Sequence, residues 1–437
     1  MSSPGSSAPL PSRVPPGVGT WPALHLDDLS DIPFTDGIVG IARYQMRARI
    51  RAGSDDVVAL TCAAMPEYER YNRDVLGLGS PRFVHAEPWA GAHALAASCK
   101  HGDARAQLVA AARRAGRVVL HPYMGTAEVW ELAALLEEES GVPVRVLAPP
   151  PEVAAFANDK WSMAQLVAGL LGPGAVPECV GVVEPEGMAN ALRGLACRHE
   201  RVALKLVSAA SAMGLSVYEA DDVLGREEVR VAAFLEETRW QPGDTVLVSA
   251  WVPGVLESPS CQVWLEPGGG VRVDGVFTQL LDEDNVFVGS RPFAGSERVA
   301  RRIEAASVTV GEALRRMGYV GRCSFDFVVT EDALVFVECN GRWGGTSTPM
   351  HLVDRLFDER PPYVAMDLAD SRLVGADFEA LRQLCGDDLY RPDTGRGRLV
   401  LYNVACLAEH GKFDVIALGE APGALAALDR LRARIAA

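Results

Sequence analysis

The sequence predicts a mixed α/β protein with α+β features and more than one domain. Strand-like and helix-like segments alternate in the first third of the chain, which favours a mostly parallel sheet. The middle third is rich in paired apolar runs joined by short turns, which are typical of antiparallel hairpins. A length of 437 residues exceeds what one ordinary hydrophobic core organises, so two or three domains are expected.

Composition narrows the class of protein. An apolar fraction of 49% and a charged fraction of 23% are typical of a soluble globular protein. The formal charge of -15 argues against a general nucleic-acid-binding surface. No apolar run approaches the roughly 18 residues of a membrane span, so no membrane partner is expected. The nine cysteines show neither CxxC nor zinc-like spacing and are interpreted as small core residues of a cytoplasmic protein.

The first domain is predicted to span residues 21 to 152, after a tail of residues 1 to 20. The tail is rich in Pro, Ser and Gly and lacks the apolar region of a signal peptide, so it is predicted to be disordered. Thr126 is positioned to cap the helical run "TAEVWELAALLEEES" between the strand-like runs "GRVVLHPYMG" and "PVRVLAPPP". The stretch "HPYMG", with His121 and Tyr123, either lines a site or simply returns the chain to the next helix.

The second domain is predicted over residues 153 to 355, with a lid at about 196 to 250. Asn158 or Asp159 caps a helix that the following "GPG" ends. Strand-like runs follow in "RVALKLV", "DTVLVSA" and "SCQVWLE", and the last of these opens a hairpin around three glycines. A final segment, residues 356 to 437, is expected to combine helices with one strand, "GRLVLYNVACLAE", and to pack on this core.

Polar residues gather where the apolar hairpin "CSFDFVVTEDALVFVEC" ends. Asp326 lies on its first strand, and Glu338 and Asn340 end the second. A turn at "TED" brings Asp326 close to the level of Glu338, because paired positions in a tight hairpin sum to a constant. Two carboxylates and an amide oxygen are hard ligands that suit Mg²⁺, and Arg342 adds a planar fork for a phosphoryl or carboxylate oxygen. The alternative is a strand end whose polar residues face solvent.

Two lysines upstream favour an anion at this place. Lys160 begins a helix, where free N–H groups attract negative charge. Lys205 lies inside the apolar run "VALKLV", where an ammonium needs a negative partner such as a nucleotide phosphate. The small-residue loop "SAASAMG" that follows lets backbone amides approach phosphates, unless it is only a mobile hairpin tip.

The order of these motifs resembles the ATP-grasp superfamily over residues 156 to 350. The motifs are "NDK", the strand lysine with its small-residue loop, "VLVSAWVPG", and "GRCSFDFVV" followed by "VFVECNGRWGG". The likeness is closest to the pheganomycin-type peptide ligases, whose family carries a pre-ATP-grasp domain at the N-terminus. It implies an ATP-grasp fold with a mobile lid subdomain, preceded by the α/β domain of residues 21 to 152 with its mostly parallel sheet.

The resemblance also implies how ATP is held. Lys160 and Lys205 would contact the α and β phosphates. Adenine would lie against the hinge at Trp251 and Val252, with hydrogen bonds to main-chain groups, and Glu257 would take the ribose hydroxyls. ATP and Mg²⁺ are therefore the expected cofactors.

For the metal and the chemistry, the resemblance implies that Asp326, Glu338 and Asn340 hold two Mg²⁺ ions that bridge the phosphates. Arg342 would steady the transferred phosphoryl group. Three departures from the family pattern accompany these matches: the phosphate loop has only Gly214, Ser249 stands where many members have a glutamate, and Asn340 is followed by Gly341 where proline is frequent.

The expected activity is ADP-forming ligation of a carboxylate to an amine through an acyl phosphate, which gives a peptide or amide bond in natural-product biosynthesis. The partners would be a small carboxylic or amino-acid-like acid and a peptide or amine nucleophile, and a homodimer is possible by family analogy. The alternatives are another ATP-grasp carboxylate kinase or phosphotransferase, or a non-catalytic ATP-binding module. Arg291, in "GSRPF", either grips a substrate carboxylate or is exposed, and His351 either faces the pocket or lies on the surface of a helix.

Overall fold

The computed structural model describes residues 21–32, 38–208, 214–283 and 286–437. The predicted tail (1–20) and most of the small-residue loop (209–213) lie outside the described residues. The remainder forms three sheets of five, four and eight strands. Across the described ranges, no helix is both long and apolar enough to cross a membrane.

The amino-terminal sheet is parallel, as the alternation of strands and helices predicts, with the strand order β3-β2-β1-β4-β5. Its strands are β1 (Ala23–Leu26), β2 (Val57–Leu60), β3 (Arg82–His85), β4 (Val118–Pro122) and β5 (Val144–Val146). Its helices are α1 (Pro66–Arg70), α2 (Leu95–Cys99), α3 (Gly102–Ala115) and α4 (Ala127–Ser140). The Thr126 hydroxyl accepts from the Val129 N–H at 3.2 Å, so the predicted cap of α4 is confirmed.

The four-stranded sheet has its own small core and the strand order β6-β9-β7-β8. Its strands are β6 (Cys179–Val182), β7 (Arg201–Leu206), β8 (Leu215–Glu219) and β9 (Val246–Ala250), and its helices are α7 (Pro185–Ala196), α8 (Ala220–Val223) and α9 (Glu227–Glu237). Two helices precede it, α5 (Pro151–Asn158) and α6 (Lys160–Leu171). The Asp159 carboxylate accepts from the Ser162 N–H at 2.6 Å, so Asp159 is the residue that caps α6.

The eight-stranded sheet is antiparallel and has the order β14-β13-β10-β11-β12-β15-β17-β16. Its strands are β10 (Pro259–Leu265), β11 (Val271–Leu281), β12 (Phe287–Pro292), β13 (Gly321–Val329), β14 (Leu334–Asn340), β15 (Tyr363–Ala369), β16 (Leu399–Tyr402) and β17 (Lys412–Leu418). The accompanying helices are α10 (Glu297–Arg316), α11 (Ser347–Leu356), α12 (Phe378–Cys385), α13 (Leu407–His410) and α14 (Ala421–Ala436).

The expectation of a single strand in the last segment is wrong. Three strands, β15, β16 and β17, extend the large sheet beyond β12. The sequences of β15 and β17 are "YVAMDLA" and "KFDVIAL", and each has an aspartate within a run of apolar residues. The aspartate breaks the apolar pattern by which a buried strand is predicted from sequence. The two aspartates, Asp367 and Asp414, stand directly opposite each other in the register of the sheet.

The amino-terminal sheet is buried on both faces, because strand side chains alternate. Val57 and Ala59 pack in one core with the helices α2, α3 and α4. Val58 and Leu60 pack in another core with the 3₁₀ helix Ile41–Arg51 and the carboxy-terminal strands. The first and last parts of the chain therefore share one hydrophobic core beside the large sheet.

Candidate active site

The hairpin of β13 and β14 brings the two predicted carboxylates together. Asp326 pairs directly with Glu338, one residue beyond the position that the turn alone would give. Pairing nearer the turn follows a sum of 663, as in Val329 with Leu334, which by itself would place Val337 opposite Asp326. Val337 is instead an extra residue in a β-bulge between the Phe336 and Glu338 levels. The bulge turns Glu338 to the same face as Asp326.

A polar patch surrounds this pair on one face of the large sheet. The Ser260 hydroxyl donates to Asp326 Oδ1 at 2.6 Å, and Asn340 Nδ2 donates to Asp326 Oδ2 at 2.9 Å. Burial and the neighbouring Glu338 raise the pKa of Asp326 to about 7. Two carboxylates that face each other in a partly buried site repel each other. The geometry therefore favours a cation between them.

Two lysines approach the carboxylates from the side of the four-stranded sheet. Lys160 Nζ lies 3.1 Å from Glu338 Oε2. Although burial of Glu338 opposes its ionisation, Lys160 and Arg342 together hold the pKa of this carboxyl group below its usual value. Burial and the nearby Lys160 lower the pKa of Lys205 to about 8. A main-chain hydrogen bond from the Lys160 N–H to Val207 O, at 2.9 Å, ties the start of α6 to the end of β7.

Arg342 is held by Asn158, the last residue of α5. Asn158 Oδ1 accepts from Arg342 Nη1 at 2.8 Å and from the Gly341 N–H at 3.0 Å. A Cβ atom on residue 341 would stand 2.9 Å from Asn158 Nδ2. Glycine therefore fits at this position better than the proline that the sequence resemblance leads one to expect, because proline has no N–H to donate and its ring would displace Asn158.

Two cavities meet at the carboxylate pair. Cavity A, of about 440 Å³, lies between the four-stranded sheet and the hairpin and is lined by Lys160, Lys205, Trp251 and Val252 among others. Cavity B, of about 520 Å³, lies between the large sheet and the amino-terminal domain. Four residues line both cavities: Gln279, Leu281, Asp326 and Glu338. Asn340 and Arg342 line cavity B.

The remaining residues predicted to bind the nucleotide fall into two groups. Trp251 and Val252 line cavity A, and the Trp251 ring lies 5.3 Å from Lys205 Nζ. Ser249 lies inside the four-stranded sheet with 1% of its surface exposed, between Cys179 and Ala203. Glu257 accepts a hydrogen bond from the Thr278 hydroxyl at 3.0 Å and lies outside the lining of cavity A. The structure thus brings the hinge to the cavity but not Ser249 or Glu257.

Arg291 does not join the site. Ser290 pairs with Gln279 and shares the face of Asp326, so alternation along β12 turns Arg291 to the opposite face, with Thr278. The guanidinium is partly buried there, and its Nε has no hydrogen-bond partner among the described residues. The expectation that Arg291 reaches the reacting carboxylate is therefore not supported by its position.

The histidines named from the sequence are core residues. His121 is buried beside Trp264 and Trp343, whereas Tyr123, from the same "HPYMG" stretch, lines cavity B. His351 is 1% exposed, so the expectation of a helix-surface histidine is wrong. It meets Trp343 edge to face, and burial and nearby arginines hold its pKa well below the usual value.

Three contributors to the site were not predicted from the sequence: Ser260, Gln279 and Asn158. Ser260 and Gln279 share the face of Asp326 with Gln262 and Ser324. The sequence pattern that could have identified them is a period of two, in which polar residues alternate with buried apolar ones along the predicted strands. Asn158 gave no such signal, because its role depends on a partner 184 positions away.

The donor set fits a magnesium ion. Throughout the described ranges, no group of three or more His, Cys, Asp or Glu side chains is placed to hold a metal ion. The set here is two carboxylates, Asp326 and Glu338, with the amide Asn340, and oxygen donors of this kind suit Mg²⁺, which keeps several waters. The mutual repulsion of the two carboxylates is the feature that a divalent cation would relieve.

Replacing Asn158 with alanine tests its positioning role. Asn158→Ala removes the shared acceptor of the Gly341 N–H and the Arg342 guanidinium. The free energy of unfolding should therefore fall by about 1–3 kcal/mol. Urea denaturation followed by circular dichroism measures this. Asn190→Ala, at an exposed position of α7, is the matched control and should change stability by less than about 0.5 kcal/mol. Equal effects of the two variants would contradict the role of Asn158.

Sequence comparison identifies one part of the chain. Residues 46–137 match the family model of the Pre ATP-grasp domain. No curated protein matches this sequence.

Solved structures match almost the whole chain. The N5-carboxyaminoimidazole synthetase from Staphylococcus aureus, complexed with ADP, is 11% identical, with a TM-score of 0.56 over 95% of this chain and 97% of that one. The biotin carboxylase from Campylobacter jejuni is 13% identical, with a TM-score of 0.56 over 95% of this chain and 94% of that one. The carboxyaminoimidazole ribonucleotide synthase from Aspergillus clavatus, complexed with ATP, is 12% identical, with a TM-score of 0.57 over 95% of this chain and 98% of that one. At these identities the likeness concerns the fold, and the predicted fold class is confirmed: the chain has the ATP-grasp fold behind an amino-terminal parallel sheet.

Proposed function

We propose that this protein is an ATP-dependent ligase that joins a carboxylate to an amine through an acyl phosphate and releases ADP and phosphate. The observation that carries the proposal is the partly buried pair Asp326 and Glu338, shared by two cavities and surrounded by Lys160, Lys205 and Arg342. The product would be a peptide or amide bond, and we assign the reaction to natural-product biosynthesis. Solved structures of the same fold complexed with ADP or ATP support the choice of nucleotide.

The nucleotide would occupy cavity A. Lys160 and Lys205 would meet its α and β phosphates, because both ammonium groups line this cavity at its carboxylate end. Adenine would lie against Trp251 and Val252. The Trp251 N–H already donates to Arg201 O at 3.0 Å, so adenine would take its hydrogen bonds from other main-chain groups of the hinge.

Mg²⁺ would be held by Asp326, Glu338 and Asn340 and would neutralise charge on the phosphates. Hydrogen bonds and an ion pair hold the two carboxylates in position for this ion. Ser260 and Asn340 orient the Asp326 carboxylate with hydrogen bonds of 2.6 and 2.9 Å, and Lys160 orients Glu338. Their geometry is thus fixed before any ligand binds.

The chemistry requires positive charge where the two cavities meet. A carboxylate is a poor acyl donor, because its charge repels nucleophiles and oxide is a bad leaving group. Transfer of the γ-phosphoryl group of ATP to the carboxylate would give an acyl phosphate and ADP. The amine would then attack the acyl carbon and lose a proton as phosphate leaves. Arg342, fixed by Asn158, would stabilise the charge that develops on the transferred group.

The acyl phosphate must be shielded from water. We propose that residues from about 196 to 250, within the four-stranded sheet, act as a lid that closes over cavity A. This sheet has a separate hydrophobic core, which allows it to move as a unit.

The products test the proposal. Purified protein with ATP, Mg²⁺ and panels of acids and amines should release ADP and phosphate in equal amounts with a condensed product, as read by mass spectrometry. Release of AMP and pyrophosphate would refute acyl phosphate chemistry. Release of ADP that depends on bicarbonate and not on an added acid would favour carboxylation of the amine.

Replacing Glu338 tests the metal site. Glu338→Gln keeps the size of the side chain but removes one anionic ligand, so turnover should fall by at least about 10²–10³. The melting temperature should stay close to that of the native protein, because this carboxylate faces the cavities. Glu331→Gln, at the exposed turn of the same hairpin, is the control and should keep full activity. Undiminished turnover by Glu338→Gln would count against the metal role.

The titration of Lys205 should appear in ATP affinity. Its pKa is lowered to about 8, and only the charged form attracts phosphate, so ATP affinity should fall as the pH rises through 8. Above pH 8 it should fall by up to about tenfold per pH unit, as expected for one titrating group. Calorimetry from pH 6 to 10 measures this. Lys205→Arg should abolish the fall, and Lys205→Met should bind ATP weakly at every pH. A flat profile for the native protein would remove Lys205 from the site.

A further inference from the structure

Cavity B carries charges at the end remote from the carboxylate pair. Arg47 and Lys412 line it there, together with Asp367. Arg47 comes from the 3₁₀ helix of the amino-terminal domain, and Lys412 and Asp367 come from β17 and β15. Neither the fold nor the proposed chemistry accounts for two cations at this place.

The Arg47 guanidinium is held by aromatic rings. It lies 4.6 Å from the centre of the Tyr44 ring and 5.0 Å from that of Tyr123, and its Nε donates to Tyr44 O at 3.2 Å. In the part of the chain that the structure describes, no carboxylate lies within 4.0 Å of it. Asp27 and Asp414, whose charges act on Arg47, have other partners: Asp27 pairs with Arg51, and Asp414 accepts from Asn403 Nδ2 at 2.7 Å. A planar guanidinium held between aromatic rings is well suited to a carboxylate.

Lys412 stands close to the same tyrosine. Its Nζ donates to the Tyr44 hydroxyl at 2.7 Å and lies 4.0 Å from Asp367 Oδ2. Burial raises the pKa of both Asp367 and Asp414, which face each other in the sheet. Asp414 accepts from Asn403 Nδ2 at 2.7 Å and does not line cavity B. The lining of this end of the cavity therefore holds two cations and one acid, and one anionic group of a ligand would balance the second cation.

The distance to the reaction centre sets the length of that ligand. Asp326 and Asp367 share one face of the large sheet and are separated by four strand spacings, from β13 through β10, β11 and β12 to β15. They are also displaced by four residues along the strands, because Asp326 is level with Pro292 and Asp367 is level with the residue before Gly289. Four spacings are about 19 Å and four residues about 13 Å, so the two positions lie about 23 Å apart, and an extended peptide spans at most about 3.5 Å per residue. A single amino acid cannot bridge this gap. The side chains at both ends, Asp326 and Glu338 at one and Arg47 and Lys412 at the other, reach into the cavity and shorten the gap. The remaining distance fits an extended peptide of about four residues.

One of the two walls between these ends is apolar, whereas the sheet face opposite it carries Ser260, Gln262, Gln279 and Ser324. Leu29, Ile32, Ile38, Val39 and Ile41 of the amino-terminal domain line cavity B opposite the sheet. A ligand that fits this cavity therefore has an anionic end, an apolar body and a reactive end about four residues away.

We propose that cavity B binds a short apolar peptide whose carboxy-terminal carboxylate is anchored by Arg47 and Lys412, and whose amino terminus reaches the Asp326 and Glu338 pair. This peptide would be the amine substrate of the proposed ligase, so the assignment of its amino terminus rests on the proposed function. The anchor rests on the cavity alone and selects both the free carboxylate and the length of the acceptor.

Binding of matched peptides to the full chain tests the anchor. The probes are the tetrapeptide Leu-Ala-Leu-Ala as the free acid, the same peptide as its carboxy-terminal amide, and the dipeptide Leu-Ala, measured by calorimetry. The acid should bind at least about tenfold more tightly than the amide, because the amide cannot form the charged hydrogen bonds. The dipeptide should bind more weakly than the tetrapeptide.

Two variants and one control locate the effect. Arg47→Gln and Lys412→Gln should each reduce the preference for the acid to less than about threefold. Arg43→Gln, on the same 3₁₀ helix but paired with Glu409, should keep the full preference. The proposal is overturned if the native protein binds neither tetrapeptide, if it binds acid and amide equally, or if both variants keep the preference.

Release of ADP, measured in the same samples, separates this proposal from the proposed ligase activity. A preference for the acid peptide without any ATP-dependent condensation would leave the anchor standing and refute the ligase. Condensation of other amines by a protein that does not distinguish acid from amide would leave the ligase standing and refute the anchor.

Discussion

The register of the β13–β14 hairpin is the constraint on which the rest of the site depends. The extra residue Val337 turns Glu338 to the face of Asp326, so two carboxylates lie side by side in a partly buried place. Such a pair is unfavourable alone, as the raised pKa of Asp326 records. The surrounding cations compensate, and they come from elements on both sides of the hairpin. A divalent ion between the two carboxylates would relieve their repulsion.

Both cavities open onto this pair of carboxylates, so each could hold one reactant. Cavity A takes its cations from the start of α6 and from β7, and its volume of about 440 Å³ is in the range of pockets for small ligands. Cavity B lies between the large sheet and the amino-terminal domain. A reactant in each cavity would therefore meet its partner beside Asp326 and Glu338.

Buried polar groups in the site are tied to one another by hydrogen bonds. Asn158 serves Gly341 and Arg342 at once, and Ser260 and Asn340 serve the two oxygens of Asp326. Satisfied networks fix side-chain positions in advance, which is what a charge-stabilising site requires. Gly341 is part of this network through its N–H group.

Turn residues and periods of two or 3.6 in the amino-acid sequence were enough to predict the parallel sheet, the cap at Thr126, the hairpin at "TED" and the meeting of Asp326 with Glu338. Only the tertiary fold decided the rest. The bulge at Val337, the face taken by Arg291 and the strands β15 and β17 depend on neighbours in the sheet. The contact of Tyr44 with Lys412 joins residues 368 positions apart. Periodicity reports which way a side chain points along its own element, whereas the packing of distant elements sets which other side chain it meets.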